Sequence, residues 1–218
     1  MSSSSLFRTV RRVLLLLPLV CWFSIPGDAT RAYSAEAAPP KVWRIAYVEG
    51  GPFVDYQKIL HGVAVGLRRM GLIENGAVPI PENSEDVAAM WKWLTLHAGG
   101  RAVRFLPDGF YSAGWDAETR RTNRESLLKR IKEKKDVDML LAFGTWGGQD
   151  FAHADIDIPV IVASVTNAVE AGIIPSVEDS GRDNLTAPIE PHRFKRHVEV
   201  FHDIFKFKKL AIAYEDTP

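Results

Sequence analysis

Two apolar runs, 137–143, broken only by Asp138 near its start, and 158–163, constrain this chain more than any other feature. A strand that reads apolar at every position, rather than at every second one, is covered on both faces, and that is the environment of a parallel sheet sandwiched between helices. A third β-favouring run, 42–48, ends at the turn residues Gly50, Gly51 and Pro52. Each run is followed by a segment with helical signals. Over 54–70, Ile59, Val63 and Leu67 recur every four residues, with Gly71 placed for a left-handed C-cap. Over 119–134, Leu127, Leu128 and Ile131 share one side of an otherwise charged helix.

The remaining elements follow with less pattern. A short helix is predicted over 87–96, a second strand over 102–106, a helical segment over 147–153 and a final short strand over 184–189. The stretch 72–115, interrupted by prolines and glycines, is the least legible. Strands alternating with helices build right-handed βαβ units, so the expected fold is α/β, a Rossmann-like open parallel sheet flanked by helices. After Pro191 a further helix carrying Phe194, Val198, Phe201 and Phe205 precedes an apolar run over 209–214, read here as a buried strand. That helix and strand cannot bury their own apolar residues, so the start of a second, truncated lobe is expected over 191–218, following an N-terminal ligand-binding lobe over 41–190.

The first 37 residues read as a signal peptide and lead-in. Arg8, Arg11 and Arg12 precede an apolar run over 13–25 and a small-residue stretch ending at Ala35, Glu36 and Ala37. The run is shorter than the roughly 20 apolar residues needed to span a bilayer, and Pro18 interrupts it. The single cysteine, Cys21, follows Pro18, Leu19 and Val20, which is not the lipoprotein pattern. Cleavage leaves a mature chain without cysteine and therefore without disulfides, thiolate metal sites or a thiol nucleophile. The expected compartment is the periplasm.

Charge narrows the partners. The chain carries 27 basic and 27 acidic side chains, well mixed, so no nucleic-acid footprint is present. The densest basic stretch, 129–135, contains Ile131 and Glu133 and reads as a solvated helix face. Neither a dinucleotide fingerprint nor a P-loop ending accompanies Gly147 and Gly148, and no cofactor is expected. His192, His197 and His202 are spaced by five, about 140° apart around a helix axis, and cannot share a metal. His153, Asp155 and Asp157 read as a solvated turn. Glu49 and Asp55 do not form an acid/base pair by themselves, and no serine elbow appears, so no catalytic residue is assigned and the chain is not read as an enzyme.

In open α/β sheets ligands sit beyond the carboxyl ends of strands. The residues following the three clearest runs are therefore the candidates: Phe53 and Tyr56; Gly144, Thr145 and Trp146; Ser164, Thr166 and Asn167. Hydroxyls and free backbone N–H groups there suit a polar head, and the rings suit the flat walls of a small-molecule pocket. Taken singly, Thr145 and Thr166 read equally well as helix N-caps, and Phe53 and Tyr56 as packing residues.

The segments 137–145, 158–161 and 165–172 together resemble the ABC transporter substrate-binding family that includes tryptophan- and tyrosine-uptake receptors, of periplasmic binding protein type I. Asn184, Leu185 and Thr186 stand where that family has an Asn-x-Thr-Gly turn, and 209–214 is similar to its first second-lobe strand. The same three residues also match a glycan acceptor pattern. The resemblance implies two Rossmann-like lobes closing on a small solute by a hinge, with Thr145, Thr166 and Asn167 facing the cleft. It departs at Asn167 and Ala168, where Asp-Pro is common, at Ala187, where glycine is, and in the length of 72–115. What it implies is a monomeric receptor that delivers a small-molecule solute, an amino acid or other carboxylate, to an ABC permease in the inner membrane. The alternative is a ligand-sensing module of the same fold in a signalling system. A secreted α/β enzyme would need a catalytic group from outside these residues.

Overall fold

The runs over 42–48, 137–143 and 158–163 each become a strand, and all the strands of the sheet run the same way. The computed structural model describes residues 41–73, 78–79, 85–100, 102–190 and 192–213. The expected signal segment and Cys21 lie outside the described residues. Among those described, β1 (Trp43–Glu49), α1 (Val54–Arg69), α2 (Val87–His97), β2 (Val103–Ser112), α3 (Ala117–Lys129), β3 (Met139–Phe143), α4 (Gly144–Ala152), β4 (Val160–Ala163), β5 (Leu185–Thr186) and α5 (Arg193–Phe205) follow in chain order. The sheet order is β2-β1-β3-β4-β5, with every pairing parallel. Chain connections leave β1 toward β2 on one side and resume at β3 on the other, a doubly wound arrangement whose switch point lies between β1 and β3.

The continuous apolar reading of β3 is explained by its two covered faces. Leu140 and Ala142 pack with Val48, Leu127, Phe151, Val160 and Val162 on the α3 and α4 side. Leu141 and Phe143 pack with Ile45, Tyr47, Leu60, Trp91 and Phe105 under α1 and α2. Helix ends follow their local chemistry. Gly71 takes the left-handed conformation (φ 69°) after α1, with the Leu72 N–H returning to the Leu67 carbonyl at 2.9 Å. The Asp86 and Asp116 carboxylates accept from Ala89 N at 3.1 Å and Thr119 N at 2.7 Å, capping α2 and α3.

Strand β2 is longer than the sequence suggests. Its pairing with β1 passes from Ile45↔Phe105 to Tyr47↔Phe110, so Leu106, Pro107, Asp108 and Gly109 form an excursion inside the strand. Buried Arg130 holds it, donating to the Asp108 carbonyl (2.8 Å) and carboxylate (2.7 Å) and to Asp136 (2.9 Å). The Trp91 indole N–H reaches the Leu106 carbonyl at 3.0 Å. Arg130 itself opens a π-helical turn, Arg130–Lys134, that closes the expected helix one turn after α3.

Past β5 the packing stops. Helix α5 forms where expected but buries none of its residues, leaving Phe194, Phe201 and Phe205 in solvent. The strand expected over 209–214 is not formed over 209–213, and Leu210 and Ile212 are 47% and 73% exposed. Its apolar pattern lacks what a parallel strand requires, a neighbouring strand to take its backbone hydrogen bonds, and none lies beside it among the described residues. No described helix is long and apolar enough to cross a membrane.

Candidate functional site

Three strands end in the same unusual way. The residues that leave the tips of β2, β3 and β4 include Trp115 (φ 63°), Gly144 (φ 73°) and Ser164 (φ 56°), all left-handed. For a residue with a side chain that conformation costs about 1–2 kcal/mol, and strain of this kind collects at functional edges. The turns converge on a cleft of about 550 Å3 over the carboxyl ends of β1, β3 and β4, lined by Phe53, Tyr56, Trp115, Arg120, Thr145, Trp146, Gln149, Ser164 and Thr166.

Six of the eight candidate residues thus meet in one cleft. Gly144 lies beneath it: a Cβ there would stand 1.8 Å from the Tyr56 hydroxyl, so only glycine lets the ring lie over the β3 tip. Asn167 does not line the cleft. Its side-chain oxygen accepts from Val169 N and Glu170 N, each at 3.2 Å, capping the turn that follows. It borders, with Thr166 and Glu170, a neighbouring cavity of about 550 Å3 that is also lined by Ile189, Glu190, His192 and Phe194. Thr145 is not an N-cap. Phe143 holds that position without a side-chain bond, and the Thr145 hydroxyl is exposed in the first turn of α4.

The aromatic walls are seated by the β1 loop. Phe53 meets Tyr56 edge-on at 5.3 Å, and Trp115 meets Trp146 edge-on at 5.8 Å. Gly50 and Gly51 give the indoles their place. A Cβ on Gly51 would stand 2.6 Å from the Trp115 ring, and one on Gly50 3.0 Å from Trp146 Cβ. Trp115 is 51% exposed and Phe53 42%, so apolar surface remains open. Below the walls Glu49 is buried, accepting from the Tyr47 hydroxyl at 2.6 Å. Burial raises its carboxyl above the ordinary range, partly offset by hydrogen bonds from Tyr47 and Ser112. Burial likewise pushes the Tyr56 hydroxyl up to about 12, so it stays protonated as a donor.

Three lining residues are absent from the sequence candidates: Gln149 on α4, and Trp115 and Arg120, which follow β2. Trp115 is held by its N–H to the Gly50 carbonyl at 2.8 Å. Arg120, in the first turns of α3, reaches across to α4, where its Nε and Nη2 donate to Asp150 at 2.9 and 2.8 Å. Its guanidinium stacks 4.6 Å from the Trp146 ring centroid. Extending β2 to Ser112 in the sequence would have directed attention to both. His192, His197 and His202 are exposed, as are His153, Asp155 and Asp157. No cluster of metal-ligating side chains is present among the described residues.

Comparison with known proteins shows what this arrangement is similar to. Residues 111–217 match the family described as ABC transporter substrate binding protein, so the resemblance read from the sequence is borne out. A tyrosine-binding protein of Clostridioides difficile (strain R20291) is 29% identical over 97 residues, 44% of this chain and 27% of the relative. Among solved structures, a conserved domain protein from Vibrio cholerae O1 biovar eltor is 17% identical with a TM-score of 0.50, over 76% of this chain and 45% of its own. An ABC domain from Streptococcus pneumonia in complex with L-Trp is 18% identical with a TM-score of 0.44, over 67% of this chain and 38% of its own. The chain spans from about a quarter to just under half the length of these proteins. The α/β, Rossmann-like parallel sheet is shared with the Vibrio structure.

Proposed function

We propose that this chain is the ligand-binding part of an extracytoplasmic receptor, which captures a small polar solute and passes it to an ABC permease in the inner membrane. Residues 41–190 form the first lobe, and the exposed apolar face of α5 begins a second lobe that closes over the cleft by a hinge. The receptor acts as a monomer, exported to the periplasm by the signal segment over 1–37, and binds without transforming its ligand. The observation that carries this reading is the convergence of side chains that follow four strand ends on one cleft at the switch point of the sheet. Rings on two sides and four hydroxyls offer shape and hydrogen bonds. The acid nearest the strand tips, Glu49, is buried and held by Tyr47 and Ser112 rather than lining the cleft.

The tyrosine-binding relative favours an amino acid as the solute class. Thermal unfolding of the intact protein against a panel of amino acids, organic acids, sugars and polyamines tests the proposal. A solute at 100 times its Kd adds about 2.7 kcal/mol to stability, a rise in Tm of several degrees for a chain of this size. Thr145→Ala and Thr166→Ala are expected to reduce that rise while leaving the unliganded Tm unchanged. No shift with any solute, or shifts unaffected by either substitution, would remove the cleft from consideration.

A further inference from the structure

We infer that Arg120 is a specificity-determining residue of the cleft, the group that selects a solute bearing an anionic head. The inference rests on reading the cleft as the solute site, and it adds a formal charge to a set of groups otherwise made of hydroxyls, an amide and rings. Among the described residues lining the cleft, Arg120 is the only charged one. Its counter-charge, Asp150, stands outside the lining and engages Nε and Nη2 only.

A guanidinium carries five N–H donors in a rigid plane. Three contacts on one edge fix that plane, and the stack on Trp146 at 4.6 Å fixes its height. The further contacts of Nη2, to the Trp146 carbonyl and Gln149 Oε1, are long at 3.5 Å. Nη1 makes no hydrogen bond among the described residues, and an arginine fork held in this way is organised for a second carboxylate. Thr145, Ser164 and Thr166 line the same cleft and supply hydroxyl donors for the remaining lone pairs of such a head. A cationic solute would meet Arg120 without a facing acid in the lining. The solute class is therefore a compact organic acid whose body lies against the rings.

A merely structural role, clasping α3 to α4, is the competing explanation, and paired ligands separate the two. Affinities of the intact protein are measured by calorimetry for aromatic and aliphatic L-amino acids and for the carboxamide of each. Wild type is expected to bind one or more acids at least about tenfold more tightly than the matching carboxamide, in line with a charge-assisted hydrogen bond. Arg120→Gln is expected to lower affinity for the acid by about 10- to 100-fold and to leave the carboxamide within about twofold. Asp150→Asn breaks the clasp from its other end, yet is expected to hold or raise affinity for the acid, because it removes the competing carboxylate.

Equal losses for acid and carboxamide in both variants, or a wild type indifferent to the carboxylate, would overturn the assignment and leave the receptor reading intact. Binding confined to neutral or cationic solutes would do the same. A protein that binds no member of the panel or of the wider solute set would overturn both. Tm values of the variants are recorded first. If Arg120→Gln does not fold, Arg120→Lys, which keeps the charge but not the fork, is read by the same ratio, with a partial loss confined to the acid expected and an equal loss for both ligands overturning the assignment.

Discussion

The two ends of the sheet are built from different chemistry. At the amino ends of the strands the chain is tied down by charge and amide. Arg44 donates to Asp138 at 2.6 Å and to the Lys135 carbonyl at 2.6 Å, and Lys41 adds a second cation at 3.2 Å. Arg182 donates to the carbonyls of Ala152, Ala154 and Ile156, and Asn184 to those of Ile156 and Ile158. These bonds satisfy carbonyls at the end of α4 and in the loop leading into β4, which have no ladder to join. At the carboxyl ends the chain presents rings and hydroxyls to solvent, from turns that pass through the left-handed residues Trp115, Gly144 and Ser164. One end stabilises the lobe, whereas the other is held in a conformation that the lobe must stabilise. Substitutions at the first end should change stability without changing binding, and truncation of the side chains that line the cleft at the second should mainly change binding.

The strongest test of that division lies where the two demands meet, at Gly144. Gly144→Ala combines a left-handed conformation, about 1–2 kcal/mol for an L-residue, with a Cβ placed 1.8 Å from the hydroxyl of a buried tyrosine. Overpacking of this kind adds roughly 1–3 kcal/mol, so urea unfolding should show a loss of about 2–4 kcal/mol. Tyr56→Phe in the same chain should recover part of it, because the hydroxyl is the nearest atom but the ring follows at 2.8 Å. A loss below about 1 kcal/mol would mean that the β3 tip is not packed as described.

The amino end gives a smaller effect with a pH signature. The hydrogen bond from Arg44 holds the Asp138 carboxyl down at about 2, below its ordinary value. A depressed acid contributes stability that is fully present above the ordinary carboxylate pKa of about 4 and is lost as pH falls through the folded value. Asp138→Asn should therefore cost about 1–2 kcal/mol at neutral pH, less than the full shift implies because Arg44 is a third exposed. That difference should shrink between pH 4 and pH 2 and should leave solute affinity unchanged. A loss of affinity at neutral pH would break the separation of the two ends.

The same contrast explains which parts of the molecule could be read from the sequence. β3 and α1 were legible because burial on both faces, or on one stripe, writes itself into residue order, whereas β4 reads apolar throughout although its Ile161 is exposed and only one of its faces is fully covered. β2 was legible only to Leu106, since Pro107, Asp108 and Gly109 carry the signature of a turn and here form an excursion that Arg130 returns to the sheet. Losing the tip of β2 concealed Trp115 and Arg120, although Phe53, Tyr56, Thr145, Trp146, Ser164 and Thr166 came from tips that were recognised. Asn167 lies outside the lining of the cleft because its amide oxygen caps the turn that follows, an arrangement that residue order alone does not separate from a ligand contact. The run over 209–213 failed for the opposite reason: local pattern favoured a strand, but pairing is not local.

Trp115 offers the finest distinction between the two ends, because its backbone and its ring make opposite demands. The ring is half exposed and packs on Gly51 and Trp146, so removing it forfeits modest burial. Its φ of 63° is unfavourable for any residue with a Cβ. Trp115→Ala loses the ring and keeps the strain, while Trp115→Gly loses both. The glycine variant should therefore be the more stable of the pair by up to about 1 kcal/mol, despite the greater freedom glycine gives the unfolded chain. Its own loss relative to wild type should be below about 1 kcal/mol. Both variants should bind the solute found in the thermal panel about tenfold more weakly, since both lack the same wall. An alanine variant as stable as the glycine one would show that the turn relaxes once the indole is gone, and that the ring, rather than the Trp115 N–H bonded to the Gly50 carbonyl, holds this tip in place.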